Sequence, residues 1–248
     1  MFDIPTLIII IATFLLAGTI KGTVGLGLPT VSLALLTVAI DMPTAMALML
    51  VPAFVSNIWQ ATAGGQGRIV LARIWPFLLM ATTMVWLGAL ALTRIDLHLL
   101  SALLGVLLMA YAGVNLAGFR LQLQPQQARW AGPLIGIVNG VITGMTGSFV
   151  MPGVIYLQAI GLSRDALIQA MGMLFLGSTI ALGLSLQSHQ LLTFELVTLS
   201  VIALPPALIG LVIGQLIRKR LSEQLFRRVF FISLELLGVY IVFTAFVG

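Results

Sequence analysis

Two glycine-rich interruptions, each set in an otherwise apolar stretch, constrain this chain more than any other feature. The first covers residues 18–29 and the second covers residues 140–152. Three pairs of glycines keep one offset of 122 positions (140 minus 18): Gly18 with Gly140, Gly22 with Gly144, and Gly25 with Gly147. A soluble protein has little use for such a repeat, whereas helices interrupted at matching places in two halves are typical of membrane transporters.

Composition places the chain in a membrane. Of its 248 residues, 60% are hydrophobic and 8% are charged, against about 25% charged residues in a soluble domain. The absence of Cys and the presence of only two His exclude a thiolate or histidine-rich metal centre, and no cofactor is predicted. The net charge of +5 comes from basic residues between apolar segments, which indicates cytoplasmic loops and not nucleic-acid binding.

The apolar segments predict an all-α, polytopic integral membrane protein with two inverted repeats. The first repeat covers residues 1–119 and the second covers residues 131–248, with a polar cytoplasmic linker at residues 120–130. Each repeat is predicted as a broken, re-entrant helical hairpin followed by three transmembrane helices, because hairpin arms of roughly 12–16 residues are shorter than the about 20 that span a bilayer. The predicted helical segments are residues 5–20, 29–40, 43–62, 74–93, 97–118, 131–143, 149–160, 164–186, 192–217 and 223–247.

The basic residues also predict an orientation. One side of the predicted topology collects most of them: Arg68, Arg73, Arg120, Arg129, Arg164 and the cluster at residues 218–228. Among the flanking loops, the other side keeps only Arg94. The positive-inside rule assigns the first side to the cytoplasm, and both termini then lie on the extracytoplasmic side of a bacterial inner membrane.

A helix interrupted inside a membrane favours a ligand site, because the freed N–H and C=O groups need partners. The helices after the breaks, predicted from Val31 and from Phe149, direct N–H groups and a positive dipole end at the breaks. Two inverted hairpins would aim both helix ends at one central site, which predicts an anionic substrate. The alternative is that the glycines serve only close helix packing.

Candidate ligand side chains lie in and beside the breaks. Lys21 is either a counter-charge for an anion or a side chain that snorkels to the membrane surface. The hydroxyls suit sulfonate or carboxylate oxygens, although Ser and Thr also bond helix carbonyls, and the amides of Asn57 and Asn139 suit either a ligand or a neighbouring helix. The predicted substrate-binding residues are Lys21, Gly22, Thr23, Gly25, Gly27, Asn57, Asn139, Thr143, Gly144, Thr146, Gly147 and Ser148.

Glu235 is the only carboxylate near the middle of a long apolar segment. An acid at such a place predicts proton coupling, and the alternative is a hydrogen bond that serves packing. In another long segment the pair Pro205-Pro206 predicts a kink.

The breaks resemble those of one known family. The motif Lys21-Gly22-x-x-Gly25-x-Gly27 with Pro29, and the second-half glycines with Ser148 and Pro152, are similar to the TauE/SafE family, also called TSUP. The resemblance covers nearly the whole chain and implies transport of sulfur-containing anions such as sulfite, sulfonates or sulfoacetate. The chain departs from the family pattern at residues 176–179, where the family often carries an asparagine.

The sequence therefore predicts a secondary transporter of small sulfur anions that works by alternating access and is not an enzyme. No ATP-binding signature is present, so the driving force is an ion gradient, with H⁺ or Na⁺ as the coupling ion, or the substrate gradient itself. The alternatives are an anion channel, in which the same breaks line a pore, and a transporter of carboxylates.

Overall fold

The computed structural model describes residues 3–119, 121–218 and 223–247, without the side chain of Glu223. Throughout these ranges the chain forms helices and no strand. The helices are α1 (Ile4–Val24), α2 (Leu28–Ala39), α3 (Met42–Thr62), α4 (Gly67–Thr83), α5 (Val85–Ala89) with a 3-10 turn at Leu90–Thr93, α6 (Leu97–Leu116), α7 (Pro125–Thr146), α8 (Gly153–Ala159), α9 (Arg164–Ser188), α10 (Phe194–Ile202), α11 (Leu204–Arg218) and α12 (Glu223–Val247).

Seven helical segments of the described ranges are long and apolar enough to cross a membrane. They are Ile4–Val24, Met42–Thr62, Gly67–Thr93, Leu97–Leu116, Arg164–Ser188, Phe194–Arg218 and Gln224–Val247. Six of them coincide with the six long helices predicted from the sequence, which confirms an all-helical, multi-pass membrane protein. The seventh is α1, whose 21 residues suffice to span a bilayer. The prediction that this helix is too short to span the membrane is therefore wrong for α1.

Two other boundaries differ from the prediction. Helix α7 begins at Pro125, so most of the predicted polar linker is helical. Proline is well placed in a first helical turn, and the side chain of Gln127 accepts a hydrogen bond from the backbone N–H of Gln124. The predicted kink at Pro205-Pro206 is confirmed as an interruption at Ala203, between α10 and α11. Arg120 and residues 219–222 lie outside the described residues.

The helices form two compact units, and each unit draws on both halves of the sequence. Unit 1 comprises residues 1–52, 97–118 and 191–248, and unit 2 comprises residues 53–96 and 119–190. Unit 1 therefore holds α1, α2, the start of α3, α6 and α10 to α12, whereas unit 2 holds the rest of α3, α4, α5 and α7 to α9. The first break lies in unit 1 and the second break lies in unit 2.

In unit 1, small residues allow α1 to lie directly against α11. A Cβ atom on Gly18 would lie 2.1 Å from the carbonyl oxygen of Ala207, and a Cβ atom on Gly22 would lie 2.2 Å from that of Leu211. Such distances are far below van der Waals contact, so only glycine fits at these two positions. This is the close backbone packing that small residues permit between membrane helices.

In unit 2, α7 packs against α4 and α5 in the same way. A Cβ atom on Gly140 would lie 2.6 Å from the carbonyl oxygen of Ala81, and one on Gly144 would lie 2.1 Å from that of Val85. The two helix pairs use equivalent positions. The equivalent contacts are Gly18–Ala207 and Gly140–Ala81, Gly22–Leu211 and Gly144–Val85, and Thr19–Gly214 and Val141–Gly88.

These contacts keep two fixed offsets. The residues of α1 and α7 differ by 122 positions (140 minus 18), and those of their partner helices differ by 126 positions (207 minus 81). The same 122 relates the N-terminal caps of α3 and α9, where the side chain of Asp41 accepts from the Thr44 N–H and that of Ser163 accepts from the Ala166 N–H. The glycine offset in the sequence therefore corresponds to recurring contacts within the two units.

Candidate functional site

The first break is confined to three residues. Helix α1 continues to Val24, Gly25 adopts a left-handed conformation with φ of 83°, and Gly27 caps α2 with φ of 114°. The N–H of Gly25 donates to the carbonyl of Lys21 over 2.8 Å. The prediction that the break begins near Gly18 is wrong, because Gly18 and Gly22 are required inside the helix by its packing against α11.

Lys21 consequently lies in the last turn of α1 and not in an irregular segment. Its side chain is buried, with 6% of its surface exposed. A cation is favoured at a helix C-terminus by about 0.3–2 kcal/mol, whereas taking an ammonium out of water costs several kcal/mol. Lys21 therefore lies beside the first break, where an anion would offset part of the cost of burying its charge.

Thr23 uses its hydroxyl for structure. The Oγ1 atom donates to the carbonyl of Thr19 over 2.8 Å and lies 3.2 Å from that of Gly214 on α11. This is the back-bonding to helix carbonyls that Ser and Thr often make. The hydroxyl therefore helps to fix the end of α1 against α11.

The second break is longer and is built differently. Helix α7 ends at Thr146, and Gly147 adopts a left-handed conformation with φ of 72° and donates to the carbonyl of Thr143 over 2.7 Å. The chain then runs without regular structure until α8 begins at Gly153, four residues after the predicted start at Phe149. Helix α8 has only seven residues. We therefore assign no anion-binding role to its N-terminus. The first break retains a 12-residue helix, α2.

Two side chains of α7 hold the irregular segment at both ends. Thr143 Oγ1 donates to the carbonyl of Ser148 over 3.0 Å, and Asn139 Oδ1 accepts from the N–H of Gly153 over 2.8 Å. Asn139 and Thr143 are four positions apart and thus share one face of α7. The segment from residue 148 to residue 153 is therefore fixed along that face.

Two buried donors, one on α7 and one in this segment, have no partner among the described residues. The Nδ2 group of Asn139 and the hydroxyl of Ser148 are buried and make no hydrogen bond within the described ranges. The hydroxyl of Thr146, by contrast, donates to the carbonyl of Ile142 over 2.8 Å. Of the predicted residues of the second break, Asn139 and Ser148 are thus the two with donors to offer to a ligand.

Ser178 on α9 has the same property and was not predicted. Its hydroxyl is buried without a partner among the described residues, although a helical serine usually bonds a carbonyl one turn earlier. The same helix reaches the second break, since the ring of Phe175 lies 6.0 Å from that of Phe149. The one signal in the sequence was the departure from the family pattern at residues 176–179.

Asn57 is fully buried on the part of α3 that belongs to unit 2, the unit of the second break.

The close packing of α1 and of α7 explains why Gly22 and Gly144 are glycines, and neither is needed as a ligand. Gly25 differs from these two, because a Cβ atom there would meet nothing within 4 Å.

Glu235 lies on α12 in unit 1, the unit of the first break. Its Oε2 atom is buried and has no hydrogen-bond partner within the described residues. A Cβ atom on Gly113 of α6 would lie 4.0 Å from this oxygen, so a glycine faces the carboxyl group. The alternative to proton coupling was a hydrogen bond that serves packing. Oε2 makes no such bond among the described residues.

The fold and these sites define a class of protein: a multi-pass membrane protein with two helix breaks, one beside a buried lysine and one beside buried donors. The sequence of residues 10–241 matches the family described as Sulfite exporter TauE/SafE. The chain therefore belongs to the TauE/SafE family, and this membership implies membrane transport of sulfur anions such as sulfite. No curated protein and no solved structure matches the chain significantly.

Proposed function

We propose that the protein is a secondary transporter that carries a small sulfur oxyanion, of the sulfite, sulfonate or sulfoacetate type, by alternating access. The observation that supports this most strongly is the pair of buried donors at the second break, Asn139 Nδ2 and Ser148 Oγ. A buried donor without a partner costs about 1–3 kcal/mol. The oxygens of a sulfur oxyanion would accept from both groups and would thus recover this cost on binding.

The first break contributes charge in this proposal. Lys21 is buried at the end of α1, and the 12-residue helix α2 begins directly after Gly27 with no side chain capping its N-terminus. The free N–H groups of a helix N-terminus and a nearby cation both favour an anion. The first break therefore offers positive potential to an anion within unit 1.

The recurring contacts of α1 with α11 and of α7 with α4 and α5 support two sequence repeats, residues 1–119 and 131–248. Their inverted orientation, the cytoplasmic position of residues 120–130 and the extracytoplasmic termini remain predictions from the charge pattern. A bacterial inner membrane fits that pattern. The coupling ion in this proposal is H⁺, because Glu235 offers a buried carboxyl oxygen in unit 1, and Na⁺ is the alternative.

Flux of radiolabelled sulfite in proteoliposomes tests the proposed function. We expect uptake that saturates with substrate concentration, since a carrier must bind its substrate in each cycle, and competition by sulfonates but not by acetate. Lys21→Ala should reduce this flux at least tenfold, whereas Arg94→Gln, which removes a positive charge from an exposed loop residue, should not change it. Fast flux that does not saturate would favour an anion channel, and selective competition by acetate would favour a carboxylate transporter.

A further inference from the structure

Of the helices in the described ranges, α3 is the one that belongs to both compact units. The chain passes between the units at four places, and three of them, at residues 96–97, 118–119 and 190–191, fall between one helix and the next. The fourth falls between Pro52 and Ala53, inside α3. A change in the arrangement of the two parts of α3 therefore requires a bend within this helix.

The helix is built to bend at that place. Pro52 is buried at the middle of α3. Because proline has no N–H, the carbonyl of Leu48 loses its helical partner. The hydroxyl of Ser200 on α10 replaces that partner: it donates to the Leu48 carbonyl over 2.7 Å and accepts from the Val51 N–H over 3.0 Å. A proline and a side chain that enters the helical hydrogen bonds are two established causes of helix bending.

The two parts of α3 are anchored to different helices. The part before the proline is held in unit 1 by Ser200, which is only 1% exposed. The last turn is held in unit 2 by α9. There Gln60 Nε2 donates to the carbonyl of Ile168 over 3.1 Å, and in return Gln169 Nε2 donates to that of Ala61 over 2.9 Å. The proline lies between the two anchors, so a bend at the proline leaves both sets of hydrogen bonds intact.

The part of α3 after the proline carries a predicted substrate-binding residue. Asn57 is fully buried and follows Pro52 by five positions (57 minus 52). It belongs to unit 2, the unit of the second break, whereas Lys21 and the first break belong to unit 1. A bend at Pro52 thus moves Asn57 together with the second break.

We propose that α3 bends at Pro52 in each transport cycle, and that Ser200 is the positioning residue that supports the bend by replacing the missing backbone N–H. The part of α3 before the proline stays with α10, and the part after it stays with α9. This inference rests on the proposed alternating-access transport, for which it names a hinge. Such hinges are a few positions that absorb the backbone change when a protein opens and closes.

Thermal melting tests the role of Ser200, with wild type, Ser200→Ala, Pro52→Ala and the double variant. Pro52→Ala supplies a backbone N–H to the carbonyl of Leu48. We therefore expect Ser200→Ala to lower the melting temperature of the wild type, and to lower that of Pro52→Ala by less than half as much. Equal shifts in the two backgrounds would show that Ser200 does not replace the missing N–H.

Pulsed EPR between two spin labels tests the bend itself and needs no substrate. The chain has no Cys, so Leu99→Cys on α6 of unit 1 and Thr62→Cys at the end of α3 in unit 2, both exposed positions, introduce the labelling sites. In lipid nanodiscs we expect more than one population of distances, and we expect Pro52→Ala to reduce them to one. A single narrow distance with and without Pro52→Ala would mean a static helix and would overturn the proposal.

Sulfite flux in proteoliposomes connects the bend to transport. Pro52→Ala should lower the maximal rate about tenfold with an unchanged Kd for sulfite, because the hinge does not contact the ligand. The matched control is Pro76→Ala, which adds an N–H inside α4, wholly within unit 2, and should change neither the rate nor the distances.

A wild-type rate in Pro52→Ala, or an equal loss of rate in both proline variants, would overturn the hinge. Absence of sulfite flux in the wild type would instead contradict the proposed function. The spin-label distances would still decide whether α3 bends.

Discussion

The side-chain oxygen of Asn139 accepts a hydrogen bond from the N–H of Gly153 over 2.8 Å, across the irregular segment of the second break. One side chain thereby fixes the start of α8 against α7. Its Nδ2 group remains buried without a partner among the described residues. Asn139 thus combines a structural acceptor with a donor that the proposed function assigns to the substrate, and the two roles are separable by substitution.

Asn139→Asp separates these two roles. The aspartate keeps an oxygen for the Gly153 N–H but lacks the Nδ2 donor and adds a negative charge that repels an anion. We expect the affinity for the transported anion to fall more than tenfold while the fold is retained. Asn139→Ala should instead lower the free energy of unfolding by about 1–3 kcal/mol, because the Gly153 N–H loses its partner. Binding and thermal melting of both variants check this, and unchanged affinity in Asn139→Asp would remove Asn139 from the site.

Ser148→Ala should weaken anion binding about tenfold without loss of thermal stability. The hydroxyl has no partner to lose in the described residues, whereas a hydrogen bond to an anion contributes about 1.5–3 kcal/mol. Ser200→Ala is the contrasting control, because its hydroxyl donates to the carbonyl of Leu48 and accepts from the N–H of Val51. We expect that variant to lose stability and to keep its affinity. If Ser148→Ala also melted lower at full affinity, the serine would be structural.

Gly22→Ala and Gly144→Ala should each lower the free energy of unfolding by about 1–3 kcal/mol, the usual cost of overpacking. The new methyl group would lie 2.2 Å and 2.1 Å, respectively, from a backbone carbonyl oxygen on the facing helix. Gly113→Ala is a matched control on α6, because its Cβ atom would come no closer than 4.0 Å to another atom. Thermal melting of the three variants measures the difference. Equal melting temperatures for all three would contradict the close packing of α1 and α7 with their partner helices.

Glu235→Gln should abolish the response of transport to a pH gradient while leaving substrate binding intact. The amide cannot exchange a proton, and it places a neutral group of the same shape beside Gly113. Sulfite flux in proteoliposomes with and without an imposed pH gradient provides the measurement. The control is Glu195→Gln, which removes an exposed acid in the first turn of α10. If the variant still accumulates sulfite along an imposed pH gradient, Glu235 does not couple the proton.

The long helices were predictable from the sequence because apolar runs of about 20 residues have one stable form in lipid. The ends of the helices around the breaks were not. Gly18 and Gly22 suggested the start of an interruption, yet both lie inside α1, where contact with α11 requires glycine. Glycine permits a break and also permits close packing, and the sequence alone does not distinguish these roles.

The polar residues of the site show a similar division. The sequence identified Asn139, Thr143, Thr146 and Ser148 as one group, because all lie at the second break. Only the hydrogen bonds separate the residues that hold the segment, such as Thr143, from those whose donor has no partner among the described residues, such as Ser148. Ser178 escaped prediction because it follows the break by 30 positions (178 minus 148), and its proximity depends on the packing of α9.

The central claim is that the protein binds a small sulfur oxyanion, and thermal stabilisation of the purified protein by a panel of anions tests it most directly. The panel contains sulfite, sulfate, thiosulfate, sulfoacetate, toluenesulfonate, acetate and benzoate. A ligand that binds only the folded protein raises its apparent stability, by about 2.7 kcal/mol at a concentration 100 times Kd. We predict selective stabilisation by sulfite or by one sulfonate. Stabilisation by acetate and benzoate alone, or by none of the seven anions, would contradict the claim.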